Sequence, residues 1–141
     1  MRILMVEDAE DLAEGVIAHL ARSGIVCDLA PSIEDARDCR AVQQYEAVIL
    51  DINLPGRSGY EVLRSMRSRG DATPVIVLTA FSQRELVERA RDAGAMAYLV
   101  KPFSKSDLVP AIEMAVSRFA ELAAVESEGA DLRSEEHTSE L

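Results

Sequence analysis

Ala47-Val48-Ile49-Leu50-Asp51-Ile52-Asn53-Leu54-Pro55-Gly56 sets four apolar residues in a row, then a carboxylate, then a turn. Four consecutive apolar residues suit a strand covered on both faces, because a strand with one wet face would alternate. Asn53 to Arg57, with Pro55 and Gly56, read as a loop. A carboxylate at the end of such a strand lies at the rim of a sheet. The pattern recurs on either side. Ile3-Leu4-Met5-Val6 runs into Glu7-Asp8, and Ile25 to Leu29 reads as a second strand. Pro74 to Thr79 reads as the fourth, and Ala95 to Val100 as the fifth, ending at Lys101.

Helical spacing fills the intervals. Leu12, Val16 and Leu20 lie four apart within residues 9–22, and Ser23-Gly24 stops that helix. Ser32 can cap a helix reaching Val42, with Glu34 and Asp35 in its first turn. Ser58 can cap a third, with Glu61 completing a capping box, Val62, Leu63 and Met66 facing the core, and Gly70 as its end. Residues 83–92 predict a charged fourth helix closed by Gly94. A fifth starts near Ser104 or Ser106 and runs toward Val125, with Pro110 as a local conflict: a kink, or a later helix start.

Strands alternating with helices imply an α/β chain, a (βα)5 doubly wound, flavodoxin-like parallel sheet of order 2-1-3-4-5. All strands then point one way, so Glu7, Asp8, Asp51, Thr79 and Lys101 share one edge. Strands 1 and 3 flank the crevice where such sheets bind ligands. Three crowded carboxylates repel unless a cation joins them. An oxygen-only donor set suits Mg²⁺, and without His or Cys it does not suit zinc or copper. Asp51 is then a candidate nucleophile, with Lys101 and Thr79 placed to hold phosphoryl oxygens. Singly, Glu7 could be a solvated residue, Thr79 an ordinary strand residue and Lys101 a surface lysine. Their joint register favours the site.

Composition bounds the rest. The 141 residues suit one domain with a short extension, and 48% apolar content supplies a core. The net charge of −10 argues against nucleic acid as a direct partner. Residues 121–141 hold seven acids and one Arg. Cys27 and Cys39 lack metal or redox spacing and are expected to be reduced thiols. His19 and His137 have no evident ligand role. No apolar stretch reaches a membrane span, and Met1-Arg2 does not begin a signal peptide, so a soluble, cytoplasmic protein is expected.

Val6-Glu7-Asp8, Leu50 to Gly56, Val77-Leu78-Thr79-Ala80 and Tyr98-Leu99-Val100-Lys101-Pro102-Phe103 together resemble the two-component response-regulator receivers (CheY-like) over residues 1–120. The resemblance implies that a sensor histidine kinase phosphorylates Asp51. It implies Mg²⁺ held by Asp8, Asp51 and the Asn53 carbonyl, with Glu7 acting through metal-bound water. Thr79 and Lys101 would hold the phosphoryl group, Lys101-Pro102 would be a cis peptide, and Tyr98 would be the rotating aromatic of the switch. Such a domain is not an enzyme on outside substrates; it catalyses its own phosphorylation and slow dephosphorylation. It would switch a face made by the fourth helix, fifth strand and fifth helix, through which two copies could pair. Arg57-Ser58-Gly59 departs from the family, which carries an acidic or amide residue before the glycine, so kinase preference or phosphate lifetime is expected to differ. A phosphatase acting on small substrates and a phosphate-independent interaction module are the competing readings. The phosphoacceptor reading requires Asp51 beside Asp8 with its carboxylate open to solvent.

Residues 1 to about 80 resemble winged-helix, OmpR-type regulators, whereas Ala80-Phe81-Ser82-Gln83 through Phe119 resembles transcription-antitermination (ANTAR) regulators. A chimera joined at 77–80 or natural variation within one subfamily would account for this. Leu108, Ile112, Ala115, Phe119 and Leu122 keep heptad spacing, which suits packing on the sheet and then a helical linker over 121–132. Arg133 to Leu141 reads RSEEHTSEL, the translation of a common sequencing adapter. It is expected to be a non-native tail, disordered or weakly helical, with an output domain lost beyond it.

Overall fold

The five apolar runs pair into one parallel sheet. In the computed structural model, β1 (Arg2–Val6), β2 (Val26–Ala30), β3 (Val48–Asp51), β4 (Val75–Thr79) and β5 (Ala97–Val100) lie in the order β2-β1-β3-β4-β5. This is the doubly wound arrangement that the sequence predicts. The structure describes residues 1–53, 58–80, 88–89, 91–92 and 94–120. The loop at 54–57, most of the fourth helix, Leu122, the linker over 121–132 and the tail over 133–141 lie outside the described residues.

Alternate strand residues feed two cores, as a period of two requires. Leu4, Val6, Val48, Leu50, Val75 and Val77 pack on one face, under α2 (Ile33–Val42) and α3 (Gly59–Ser68). Ile3, Met5, Ile49, Ile76 and Leu78 pack on the other, under α1 (Glu10–Arg22) and a C-terminal helix over 108–120. Leu108, Ile112 and Ala115 are fully buried there, so the first part of the heptad-spaced face packs on the sheet. Cys27 is buried, which pushes its thiol up to about 12, and both cysteines are free.

The caps differ in part from expectation. Ser32 accepts from the Asp35 N–H as predicted. Ser58 caps α3 through the Tyr60 N–H, two residues on, so the box with Glu61 is not the one described. A full capping box stands at Ser104 and Asp107 instead, over a 3-10 turn at Lys105–Asp107. The last helix therefore becomes α-helical only at 108. That resolves the conflict at Pro110, which falls in the first turn, where its missing N–H has no intrahelical acceptor to lose. Gly70 and Gly94 take positive φ (78° and 103°) at the ends of their helices, as glycine can. Gly94 also leaves room for Arg67, whose Nε would lie 2.7 Å from a Cβ built there.

Candidate functional site

Strand register assembles the site. Val6 pairs with Leu50, Asp51 with Leu78 and Thr79 with Val100, so the residues closing or following β1, β3, β4 and β5 meet at one edge. The Glu7 N–H extends the ladder to the Ala30 carbonyl (3.1 Å), and the Lys101 N–H donates to that of Thr79 (2.7 Å). Glu7, Asp8 and Asp51 each offer a carboxylate oxygen, and these oxygens all lie within 4.8 Å of one another.

Lys101 Nζ lies across this group. It donates to Glu7 Oε1 (3.2 Å) and Oε2 (3.0 Å) and to Asp51 Oδ2 (3.3 Å). Backbone donors fix the carboxylates from the other side: Asn53 N–H to Asp51 Oδ1 (3.0 Å) and Ala9 N–H to Glu7 Oε1 (3.3 Å). The four side chains Glu7, Asp8, Asp51 and Lys101 carry a formal net charge of −2.

Burial removes one alternative and corrects one expectation. Glu7 is 1% exposed, so it is not a solvated surface residue. Asp51 is only 2% exposed, so its carboxylate is near Asp8 as required but is not open to solvent. The Lys101 ammonium pairs with both buried acids. Burial pushes the Glu7 carboxyl above its ordinary range, with Asp51 adding to the rise and Lys101 opposing it. Burial alone would lower Lys101, but its bond to Glu7 and the charges of Asp51 and Glu7 outweigh it and hold the ammonium above its usual value.

Other predicted residues fall as follows. Thr79 closes β4 at 4% exposure. Lys101-Pro102 is cis. Tyr98 sits on β5, 45% exposed and outside the charged cluster. Asn53 is exposed beside Asp51, with its N–H engaged as above. The donor set fits a hard divalent cation: three carboxylates from two strand ends, oxygen only, one of them (Asp8) exposed.

Sequence reasoning missed two neighbours. Gly59, read only as the glycine of Arg57-Ser58-Gly59, has its N–H on the Ile52 carbonyl at 3.0 Å. A Cβ there would come within 2.7 Å of the Asp51 carbonyl oxygen and 2.8 Å of Ile52 Cα. The α3 start thus presses on the backbone that carries Asp51. The signal was a glycine at the first helical position, where it does not favour helix. Arg89, read only as one residue of the charged segment 83–92, stands 4.6 Å from the centre of the buried Tyr60 ring.

The model of the response regulator receiver domain matches residues 3–113. The chain belongs to the response regulator receiver family. The transcriptional regulatory protein PdtaR of Mycobacterium tuberculosis is 45% identical over 141 residues, covering 99% of this chain and 68% of PdtaR. DltR of Streptococcus agalactiae is 41% identical over 114 residues, covering 81% of this chain and 51% of DltR. Among solved structures, the receiver domain of the Francisella response regulator 1452 superposes with a TM-score of 0.78 at 25% identity, covering 83% of this chain and 97% of that one. DrrB of Thermotoga maritima, an OmpR/PhoB homologue, gives 0.73 at 30% identity, covering 83% and 52%. Receivers of this family are partners of sensor histidine kinases and bind Mg²⁺ at an acidic cluster, and Glu7, Asp8 and Asp51 form such a cluster here. Among the described residues of this receiver, no helix is long and apolar enough to cross a membrane.

Proposed function

We propose that Asp51 is the phosphoacceptor of this receiver and takes its phosphoryl group from a phosphohistidine of a sensor kinase. The observation that carries this is the placement of Asp51 at the end of β3, within 4.8 Å of Glu7 and Asp8 and 3.3 Å from the Lys101 ammonium. Mg²⁺ would be held by Asp8, Asp51 and the Asn53 carbonyl, with Glu7 one water away, and would neutralise charge on the phosphoryl oxygens. The Asn53 N–H holds one Asp51 oxygen and leaves the other for attack. Lys101 must first swing off Asp51, which its long stem allows, and then pair with a phosphoryl oxygen as a point charge. This motion answers the burial of Asp51. The Thr79 hydroxyl, at the neighbouring strand end, would bond another oxygen and draw β4 toward the phosphate.

The domain then acts as a switch and turns over only its own phosphate. The responding face is the fourth helix, β5 and the C-terminal helix, where two copies would pair. Tyr98 and Met114, 45% and 64% exposed, border an open cleft there with Arg91 and Arg118. The names of the relatives, transcriptional regulatory proteins, support a role in regulating transcription. Because one relative aligns along nearly the whole chain, natural variation accounts for the mixed OmpR-type and ANTAR likeness better than a junction at 77–80 does.

Incubation with acetyl phosphate and Mg²⁺, followed by intact mass measurement, tests this. A gain of one phosphate that vanishes in Asp51→Asn and decays slowly is expected. Rapid repeated turnover of an outside ester would favour the phosphatase reading, and no gain would favour the phosphate-independent module.

A further inference from the structure

Arg89 reaches across the fold to the segment that carries Asp51. It follows β4, is helical and exposed, and sets its guanidinium over the Tyr60 ring, 4.6 Å from the ring centre. Tyr60 is the second residue of α3 and only 4% exposed. A cation facing a ring so far out of water is held by the negative face of the ring with little screening. The planar guanidinium suits such stacking better than an ammonium does.

On its other side the same turn meets the site. Tyr60 shares one buried cluster with Leu50 and Ile52, the two residues that flank Asp51. Its neighbour Gly59 donates its N–H to the Ile52 carbonyl (3.0 Å). A Cβ at Gly59 would meet the Asp51 carbonyl oxygen and Ile52 Cα, so the first turn of α3 sits directly on that backbone. Ser58 Oγ accepts the Tyr60 N–H (3.2 Å) and fixes the start of the turn. The Asn53 N–H in turn holds Asp51 Oδ1 (3.0 Å), so the backbone over 51–53 aims the carboxylate. A small shift of that backbone changes how often Asp51 lines up for attack.

We propose that Arg89 is a positioning residue for phosphorylation: its guanidinium, held on the Tyr60 ring, keeps the start of α3 seated against Asp51 in the orientation that receives the phosphoryl group. This rests on the reading of Asp51 as the phosphoacceptor. The test is the rate at which the whole 141-residue protein gains mass from acetyl phosphate at saturating Mg²⁺, taken beside its urea midpoint. Arg89→Met keeps an apolar stem without the charge and should react about fivefold more slowly, the scale of one cation–ring contact. Arg89→Lys keeps a cation and should recover about half of the parent rate or more. In the Tyr60→Leu background the slowing by Arg89→Met should shrink to about twofold or less, because the partner is already gone. A merely structural contact would move the urea midpoint and leave the rate of the folded protein alone. Should Tyr60→Leu fail to fold, the Gly59 and Asn53 amide NMR shifts read the seat directly: Arg89→Met should displace them and Arg89→Lys should not. A parent-like rate in Arg89→Met, equal slowing in the Lys and Met variants, undiminished slowing in the Tyr60→Leu background, or unmoved Gly59 and Asn53 amides would overturn the inference and leave Asp51 as the phosphoacceptor. No gain of mass in the parent would overturn that reading and this inference with it.

Discussion

The two ends of the sheet both hold partly or wholly buried charge, and they treat it in opposite ways. At the amino end, Arg67 leaves α3 and turns all three of its nitrogens to backbone: Nε and Nη2 to the Gly94 carbonyl (3.1 and 2.8 Å), Nη1 to those of Asp71 (2.8 Å) and Thr73 (2.9 Å). Asp71 in turn holds Arg40 and the Thr73 hydroxyl. At the carboxyl end, three carboxylates gather beside one ammonium, which pairs with Glu7 and Asp51 only. The first arrangement is closed and serves the fold. The second is two charges short of neutral, and a site that must accept a cation and a phosphoryl group has to be.

The sharpest way to break this contrast is at Arg67. Replacing it with Met orphans three loop carbonyls at once and should cost about 3 kcal/mol of stability. Urea denaturation would measure this. A loss below about 1 kcal/mol would mean that water replaces the guanidinium and that the amino end is not the rigid one. Next comes Gly59→Ala, which forces a methyl against the Asp51 carbonyl and Ile52 Cα. A cost of about 2 kcal/mol is expected from this overpacking, together with slower phosphorylation by acetyl phosphate. Loss of stability with an unchanged phosphorylation rate would show that the α3 start does not position Asp51.

Asp51→Asn should move stability the other way. It removes one of three crowded carboxylates and leaves Lys101 paired with Glu7, so a gain of about 1 kcal/mol is expected, as at other sites where function opposes stability. A loss comparable to that at Arg67 would place the carboxyl end among the structural networks and void the comparison.

The same contrast explains what the sequence made legible. The buried strands were readable because a strand covered on both faces writes a run such as Val48-Ile49-Leu50, and strand-end acids stand out against such runs. The doubly wound order then put Glu7, Asp8, Asp51, Thr79 and Lys101 on one edge without any coordinates. The ion pair of Lys101 with Asp51 was not readable, because it depends on where a long side chain lies across 50 residues of chain. Nor was the Arg67 network, whose partners are carbonyls and carry no residue identity. The capping box moved from Ser58 to Ser104 for a related reason: the spacing to an acid three residues on is necessary, but local backbone decides which N–H the serine meets.

The smallest expected effect is a dependence on pH at the amino end. Burial alone would raise the Asp71 carboxyl, but bonds from the Thr73 hydroxyl and N–H and from Arg40 overcome it and hold it below its ordinary value of 3.8. The unfolded chain therefore binds the Asp71 proton more readily than the folded one. The stabilisation from Asp71 is complete above the unfolded value and is lost as pH falls through the lower, folded one. Urea midpoints taken from pH 5 down to pH 2 should fall less steeply in Asp71→Asn than in the parent, because the variant has no carboxylate there to protonate. At pH 5 the variant should be the weaker of the two, since Arg40 loses its ion pair, and the difference should narrow toward pH 2. A constant gap across that range would mean that Asp71 acts through packing and hydrogen bonding alone, and its charge would no longer distinguish the closed end of the sheet from the acidic one.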